Sequence, residues 1–212
     1  MPEMVSCLCV TKGRPQLKEA IECFNRQLYP NKELIIVVDG QESISCNQPD
    51  VKVYNVNRNT LGELRQASVN RATGHIVLQW DDDDLYHPDR IDCQVNSLVK
   101  SDKSFGLLAK QIIEFEGGYY LVHNKGFHGT LCAYREQLPE YEKTSVGEDT
   151  YILDWEDLVT CKEEVYIRRY HGKNLCSREH YLDIINRYGV KQYTPNEYKR
   201  IKADYVSSIP TG

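Results

Sequence analysis

Apolar and polar positions come in blocks through the first hundred residues, and continuous runs take turns with helical spacing. Met4–Val10 (MVSCLCV) is an apolar-rich run closed by Thr-Lys-Gly-Arg-Pro, which predicts a strand. Leu17, Ala20, Ile21, Phe24 and Leu28 then recur at helical spacing, and Pro15 suits a first helical turn. Glu33–Gly40 (ELIIVVDG) is continuous and β-branched, which predicts a strand buried on both faces and ended by an Asp-Gly turn. Val51–Val56 predicts another strand. Leu61–Ala72 predicts a helix with Gly74 as its stop. His75–Trp80 predicts a strand that runs into four consecutive aspartates, Asp81–Asp84. Pro88 then opens a helix with Ile91, Val95, Leu98 and Val99 on one face.

Strand–helix–strand alternation of this kind predicts an α/β fold with a mainly parallel sheet. In such sheets ligands bind beyond the carboxyl ends of the strands. Asp39 and Asp81–Asp84 both end strands, so they are expected to meet in space at that edge. The second half is less regular. Phe105–Phe115 and Gly118–Asn124 predict strands around a Gly117-Gly118 hairpin, and Gly129–Arg135 another strand. Gly147–Val159 predicts a helix, with Glu148 and Asp149 in its first turn and Tyr151, Ile152, Trp155 and Leu158 on one face. Glu164–Gly172 predicts a strand, and Ser177–Ser208 two helices broken near Gly189 and Pro195. No repeat or linker interrupts the chain, so one domain over 1–212 is expected.

Composition narrows the function. With 41% hydrophobic and 27% charged residues in 212, the chain reads as an ordinary soluble globular protein. A net charge of −5 argues against a broad basic face for nucleic acid. It allows an anionic ligand bridged by a cation. Eight cysteines include no CxxC pair, so no structural zinc is expected. Cys7, Cys9, Cys93 and Cys132 fall inside apolar elements, and a reduced, cytoplasmic setting is the expectation. The first residues do not resemble a signal peptide, and no window holds about 18 apolar residues.

The chemistry concentrates in a few residues. Adjacent carboxylates repel unless water or a cation takes up their charge, and oxygen ligands suit Mg²⁺ or Mn²⁺. If the run is extended, Asp81 and Asp83 face one way and Asp82 and Asp84 the other. Asp39 either opens an Asp-Gly turn or accepts from a nucleotide base or ribose. Glu148 and Asp149 are either first-turn acids or the source of a general base. His171 is either structural or a ligand to metal or phosphate. Arg65 lies on the Leu61–Ala72 helix, loosely co-facial with Asn70.

In this order, the segments VSCLCVTKGRPQLKEAIECFNRQLYPNKELIIVVDG, NTLGELRQASVNRATGHIVLQWDDDDLYHPDRI, GED and YHGKN resemble family 2 glycosyltransferases of GT-A fold. The resemblance implies a metal-dependent, inverting transfer of a sugar from a nucleotide sugar, UDP-linked by preference, to an acceptor hydroxyl. It implies Thr11 and Arg14 at the nucleotide pocket, Asp39 at the base and Arg65 near the base or diphosphate. It gives Asp82 to the ribose, with Asp81 as the rival in a shifted register, and Asp83 with His171 to Mn²⁺ or Mg²⁺. Asp149 matches the catalytic base, with Glu148 as its neighbour, and Asp84 is left structural. Residues 1–100 then form a nucleotide-binding half, and 101–212 hold the base, the acceptor side and the terminal helices. Gln79-Trp80 departs from the usual apolar pair before the acids. Two alternatives stand beside this reading. One is nucleotidyl transfer, against which Thr-Lys-Gly-Arg-Pro is a poor phosphate loop. The other is a non-catalytic nucleotide-sugar-binding protein. A glycan, lipid-linked or protein acceptor is equally compatible with these residues.

Overall fold

The structure, a computed structural model, describes residues 2–40, 44, 46–57, 60–149 and 156–206. β1 (Val5–Thr11), α1 (Leu17–Asn25), β2 (Lys32–Asp39), β3 (Val51–Val56), α2 (Leu61–Val69) and β4 (Ile76–Gln79) follow one another as the apolar blocks predict. Next come β5 (Leu85–Tyr86), α3 (Arg90–Val99), β6 (Phe105–Leu108), β7 (Lys110–Phe115), β8 (Gly118–His123) and β9 (Cys132–Tyr134). β10 (Leu158–Cys161), β11 (Tyr166–Arg169), α4 (Arg178–Tyr188), β12 (Gly189–Tyr193) and α5 (Pro195–Val206) complete the chain.

A seven-stranded sheet has the order β10-β6-β9-β4-β1-β2-β3. β1 pairs in parallel with β2 and β4, β2 with β3, and β6 with β10. β9 is antiparallel to both of its neighbours. The carboxyl ends of β1, β2, β4, β6 and β10 therefore share one edge. Both faces of this sheet are buried, which is why its strands read as continuous apolar runs. Cys7, Cys9, Leu34, Ile36 and Leu78 lie in one core with Phe24 of α1 and Ile91 of α3. Leu8, Ile35, Val37 and Val77 lie in another with Leu64 and Ala67 of α2. A second sheet, β12-β8-β7-β11-β5, stands beside it. Its β7–β8 hairpin turns through Glu116 and Gly117 at φ of 47° and 80°, backbone that the glycine adopts freely.

The structure differs from the sequence expectations in three places. The single strand expected over Phe105–Phe115 is two, in different sheets. They break at Ala109, whose N–H donates to the Cys161 carbonyl as the chain crosses over. The helix expected over Gly147–Val159 is not formed where it is described. Glu148 and Asp149 lie in a turn, Tyr151, Ile152 and Trp155 fall outside the described residues, and Leu158 is in β10, paired with Phe105. Strand pairing along β6 outweighs the helical spacing there. Gly74 is not the stop of α2, which ends at Val69. A Cβ at Gly74 would stand 2.6 Å from the Met4 carbonyl oxygen, so this glycine lets its strand approach β1. The two C-terminal helices form as expected, with β12 between them.

Arg90 ties the end of β4 to α3. It is completely buried. Its Nη2 donates to the Gln79 carbonyl at 2.7 Å and its Nε to Gln94 Oε1 at 3.1 Å. The guanidinium carbon stands 4.3 Å from the Tyr86 ring centre, 5.1 Å from Trp80 and 5.4 Å from Tyr166. These rings replace part of the hydration that a buried cation gives up. Arg90→Met keeps the aliphatic stem but removes the guanidinium and strands the Gln79 and Gln94 acceptors. It is expected to cost about 2 kcal/mol or more in urea unfolding. An unchanged midpoint would show that Arg90 holds nothing.

Candidate active site

The acidic run is not an extended strand. β4 ends at Gln79, β5 starts at Leu85, and the chain turns through Asp82–Asp84 between them. Strict alternation of the four side chains is therefore incorrect. A turn sends Asp82 and Asp83 to the same group and Asp84 into the interior.

Asp82 and Asp83 share Arg14. Arg14 Nη1 stands 2.9 Å from Asp82 Oδ1 and 2.9 Å from Asp83 Oδ2. Thr11, the last residue of β1, donates its hydroxyl to Asp82 Oδ2 at 2.5 Å and accepts from the Gly13 N–H. Burial raises the Asp82 carboxyl to about 6, against the pull of Thr11 and Arg14. Asp83 Oδ2 also lies 2.9 Å from His171 Nε2, with Asn174 Nδ2 at 3.4 Å. His171 sits just beyond β11, in a turn closed by its own N–H donating to Asn174 Oδ1 at 2.8 Å. The His-x-x-Asn spacing carried that turn signal, and the part of Asn174 went unseen in the sequence.

Asp84 has a different environment. It is buried and accepts from the Tyr166 hydroxyl at 2.5 Å and the Arg169 N–H at 2.8 Å. Burial pushes its carboxyl up to about 8, helped by the charges of Asp83 and Asp81. Arg169 clamps the turn from below, with Nε donating to the Asp83 carbonyl at 2.6 Å and Nη1 paired with Glu19 at 2.5 Å. Arg168 points the other way, to Cys176 and the Tyr181 ring. Asp81 is oriented by Gln79, whose Nε2 donates to Asp81 Oδ1 at 2.8 Å. The unusual Gln79-Trp80 pair is thereby explained. Gln79 aims an acid, and Trp80 fills the core, its ring centre 3.9 Å from that of Tyr86.

The remaining candidates lie on the same edge. Asp39 ends β2 beside Thr11 and has Lys12 Nζ at 3.9 Å. Gly40 follows at φ 103°, which turns the chain directly after Asp39. Glu148 is buried and Asp149 half-buried. Burial raises the Glu148 carboxyl against the pull of Arg65. Arg65 Nε stands 3.0 Å from Glu148 Oε1. Asn70 does not join Arg65. It accepts from Gln66 on the exposed side of α2. The structure thus gathers Thr11, Arg14, Asp82, Asp83 and His171 into one contact network. It joins Arg65 to Glu148 in another.

A raised carboxyl has a stability consequence. The ordinary aspartate value is about 3.9. Asp84 is held above it in the folded state, so folding favours its neutral form. That contribution is full below about pH 4 and is lost as the pH rises through about 8. Asp84→Asn is neutral at every pH. Its melting temperature relative to the wild type is expected to rise between pH 5 and pH 8. Melting curves across that range check this, and a constant difference would contradict it.

The family described as glycosyl transferase family 2 matches residues 7–151, more than half of the chain. The chain is 32% identical over 134 residues to the uncharacterized glycosyltransferase YwdF of Bacillus subtilis, covering 58% of this chain and 49% of that protein. It is 29% identical over 143 residues to the uncharacterized glycosyltransferase RP339 of Rickettsia prowazekii, covering 65% of this chain and 42% of that one. It therefore spans less than half the length of these two relatives. Among solved structures it is similar to S. aureus TarS 1–349 in complex with UDP-GlcNAc, with a TM-score of 0.64 at 13% identity. That match covers 86% of this chain and 64% of the other. It is also similar to the mannosyltransferase PcManGT from Pyrobaculum calidifontis in complex with GDP-Man and Mn²⁺, with a TM-score of 0.59 at 17% identity. That match covers 88% of this chain and 61% of the other. At such identities these likenesses speak to the fold, a mixed α/β domain of GT-A type. On the match over residues 7–151, the chain belongs to glycosyl transferase family 2.

Proposed function

We propose that this chain moves a sugar from a nucleotide sugar, with UDP as the nucleotide, to an acceptor hydroxyl with inversion at the anomeric carbon. One observation carries the reading. A carboxylate pair held by Thr11, Arg14 and His171 lies at the carboxyl edge of a parallel sheet, and a separate acidic turn holds Glu148 and Asp149. The ligands of the two structural neighbours, UDP-GlcNAc and GDP-Man, support a nucleotide-sugar donor.

In this reading Asp39 accepts from the base, Thr11 and Arg14 line the nucleotide pocket, and Asp82 faces the ribose. Asp83 and His171 are the residues suited to hold Mn²⁺ or Mg²⁺, and the Mn²⁺ in the mannosyltransferase neighbour supports such an ion. The fit rests on donor chemistry: a carboxylate oxygen and an imidazole nitrogen, held 2.9 Å apart, are ligand types that these ions accept. Among the described residues no group of three or more His, Cys, Asp or Glu is arranged to hold a metal ion, so an ion here would depend on donor oxygens and water for its other ligands. When bound, the ion supplies electrostatic stabilisation to the leaving diphosphate.

The protein's own residues account for the rest. Asp149 takes the proton of the acceptor hydroxyl as its oxygen attacks the anomeric carbon. The bond to the diphosphate breaks on the opposite face, and its electron pair leaves with the nucleotide. Arg14, which already bridges two carboxylates, is placed to offset the charge that develops there.

Asp149→Asn is expected to lower turnover of a UDP-sugar by about 10²–10⁴-fold while UDP affinity stays near that of the wild type. UDP release and calorimetry measure the two separately. NMR of the product should show the anomeric configuration inverted. Full turnover by the variant, or a retained configuration, would remove Asp149 as the base.

A further inference from the structure

α2 does more than cover the sheet. Its amino-terminal half grips the segment that leads to Glu148 and Asp149. The Leu61 N–H donates to the Ser145 hydroxyl at 3.3 Å, and the Gly62 N–H donates to the Thr144 carbonyl at 2.9 Å. Gln66 Oε1 accepts from the Tyr141 N–H at 3.0 Å. A Cβ at Gly62 would stand 1.7 Å from the Glu142 carbonyl oxygen, so any larger residue there would push the segment away. The last hold is Arg65 against Glu148 at 3.0 Å, with the two side chains only 11% and 5% exposed. The Tyr141 ring centre lies 6.0 Å from the same guanidinium.

We propose that Arg65 is a positioning residue, whose buried ion pair with Glu148 fixes the backbone that presents Asp149, and not a donor-binding residue. The proposal rests on the reading of Asp149 as the base. The physical argument is geometric. Asp149 follows Glu148 directly, in a turn and not in a helix that would hold it. The hydrogen bonds from Leu61, Gly62 and Gln66 hold residues 141–145, three or more positions before Glu148. Among the described residues, the Arg65–Glu148 pair is the side-chain contact nearest to Asp149 in sequence. The pair acts through charge in a nearly buried setting, since Arg65 Nε makes no hydrogen bond of its own. Arg65 also feels the charge of Asp81 at the acidic turn, so its guanidinium lies electrically between that turn and Glu148. Two tasks that must act together, donor binding on β1 and β4 and proton removal at Asp149, are thereby coupled through one helix.

The pair predicts a split between binding and turnover. Arg65→Met keeps an unbranched, flexible side chain, though a shorter one, and loses the charge. In the wild-type background it leaves Glu148 buried and unpaired, so Arg65→Met/Glu148→Gln, which buries no charge, guards against simple misfolding. Calorimetry with UDP and Mn²⁺ should give affinities within about threefold of wild type for both variants. UDP-sugar turnover should fall by about 10²-fold, as a misplaced base costs, with little change in donor KM. Arg65→Lys should restore part of it. Hydrogen exchange of the 141–149 amides, read without any substrate, should speed up in Arg65→Met at a temperature where the remaining amides stay protected. If the wild type binds UDP but turns over no donor, the reading of Asp149 fails, and the exchange result still decides whether Arg65 fixes this turn. A tenfold or larger loss of UDP affinity in Arg65→Met would place the guanidinium on the donor and overturn the proposal. So would unchanged exchange in residues 141–149.

Discussion

Four adjacent carboxylates repel one another, and the acidic turn exists because each has its own compensation. Asp81 takes the amide of Gln79. Asp82 takes Thr11 and half of Arg14. Asp83 takes the other half and His171. Asp84 takes Tyr166 and the Arg169 N–H. These groups come from β1, β4, β11 and the segments that follow β1 and β11. The two sheets are thus joined at the point where charge is most concentrated. The arrangement also divides labour. All three of Asp82, Asp83 and Asp84 are buried; Asp82 and Asp83 keep the cationic Arg14, whereas Asp84 is held by a hydroxyl and a backbone N–H and is shifted further toward its neutral form than Asp82.

Beneath that turn the positive charges are graded by depth. Arg14 is the shallow one, a third exposed, and faces the ligand edge. Arg169 lies deeper and holds backbone as well as Glu19. Arg90 is completely enclosed among three rings and fastens the strand end from which the acids project. Only the shallow cation can exchange an acid for a ligand without exposing a buried charge. The deeper two fix the scaffold that keeps the acids in place while such an exchange occurs.

The parallel core was legible because its strands are buried on both faces. Glu33–Gly40 could be little else, and Asp39 and the aspartates then had to share an edge. The contents of the acidic turn were less legible. Alternation assumed an extended chain, but whether residues 81–84 turn depends on β5 pairing with β11, some eighty residues away. The segment after Asp149 misled for a similar reason, since Leu158 continues the helical spacing of Tyr151, Ile152 and Trp155 yet finds a strand partner in β6. Ion pairs between distant elements leave no periodic trace. Arg65 was visible as a charged residue on α2, but nothing near it in sequence announces Glu148.

The central claim is that the Asp82–Asp83 face takes a nucleotide diphosphate with a divalent ion. Isothermal titration of UDP into the protein, with Mn²⁺ and then with excess chelator, tests this most directly. UDP is expected to bind at one site, at least about tenfold more tightly with Mn²⁺, a difference of roughly 1.4 kcal/mol. Equal affinity in both conditions, or no binding in either, would contradict the account.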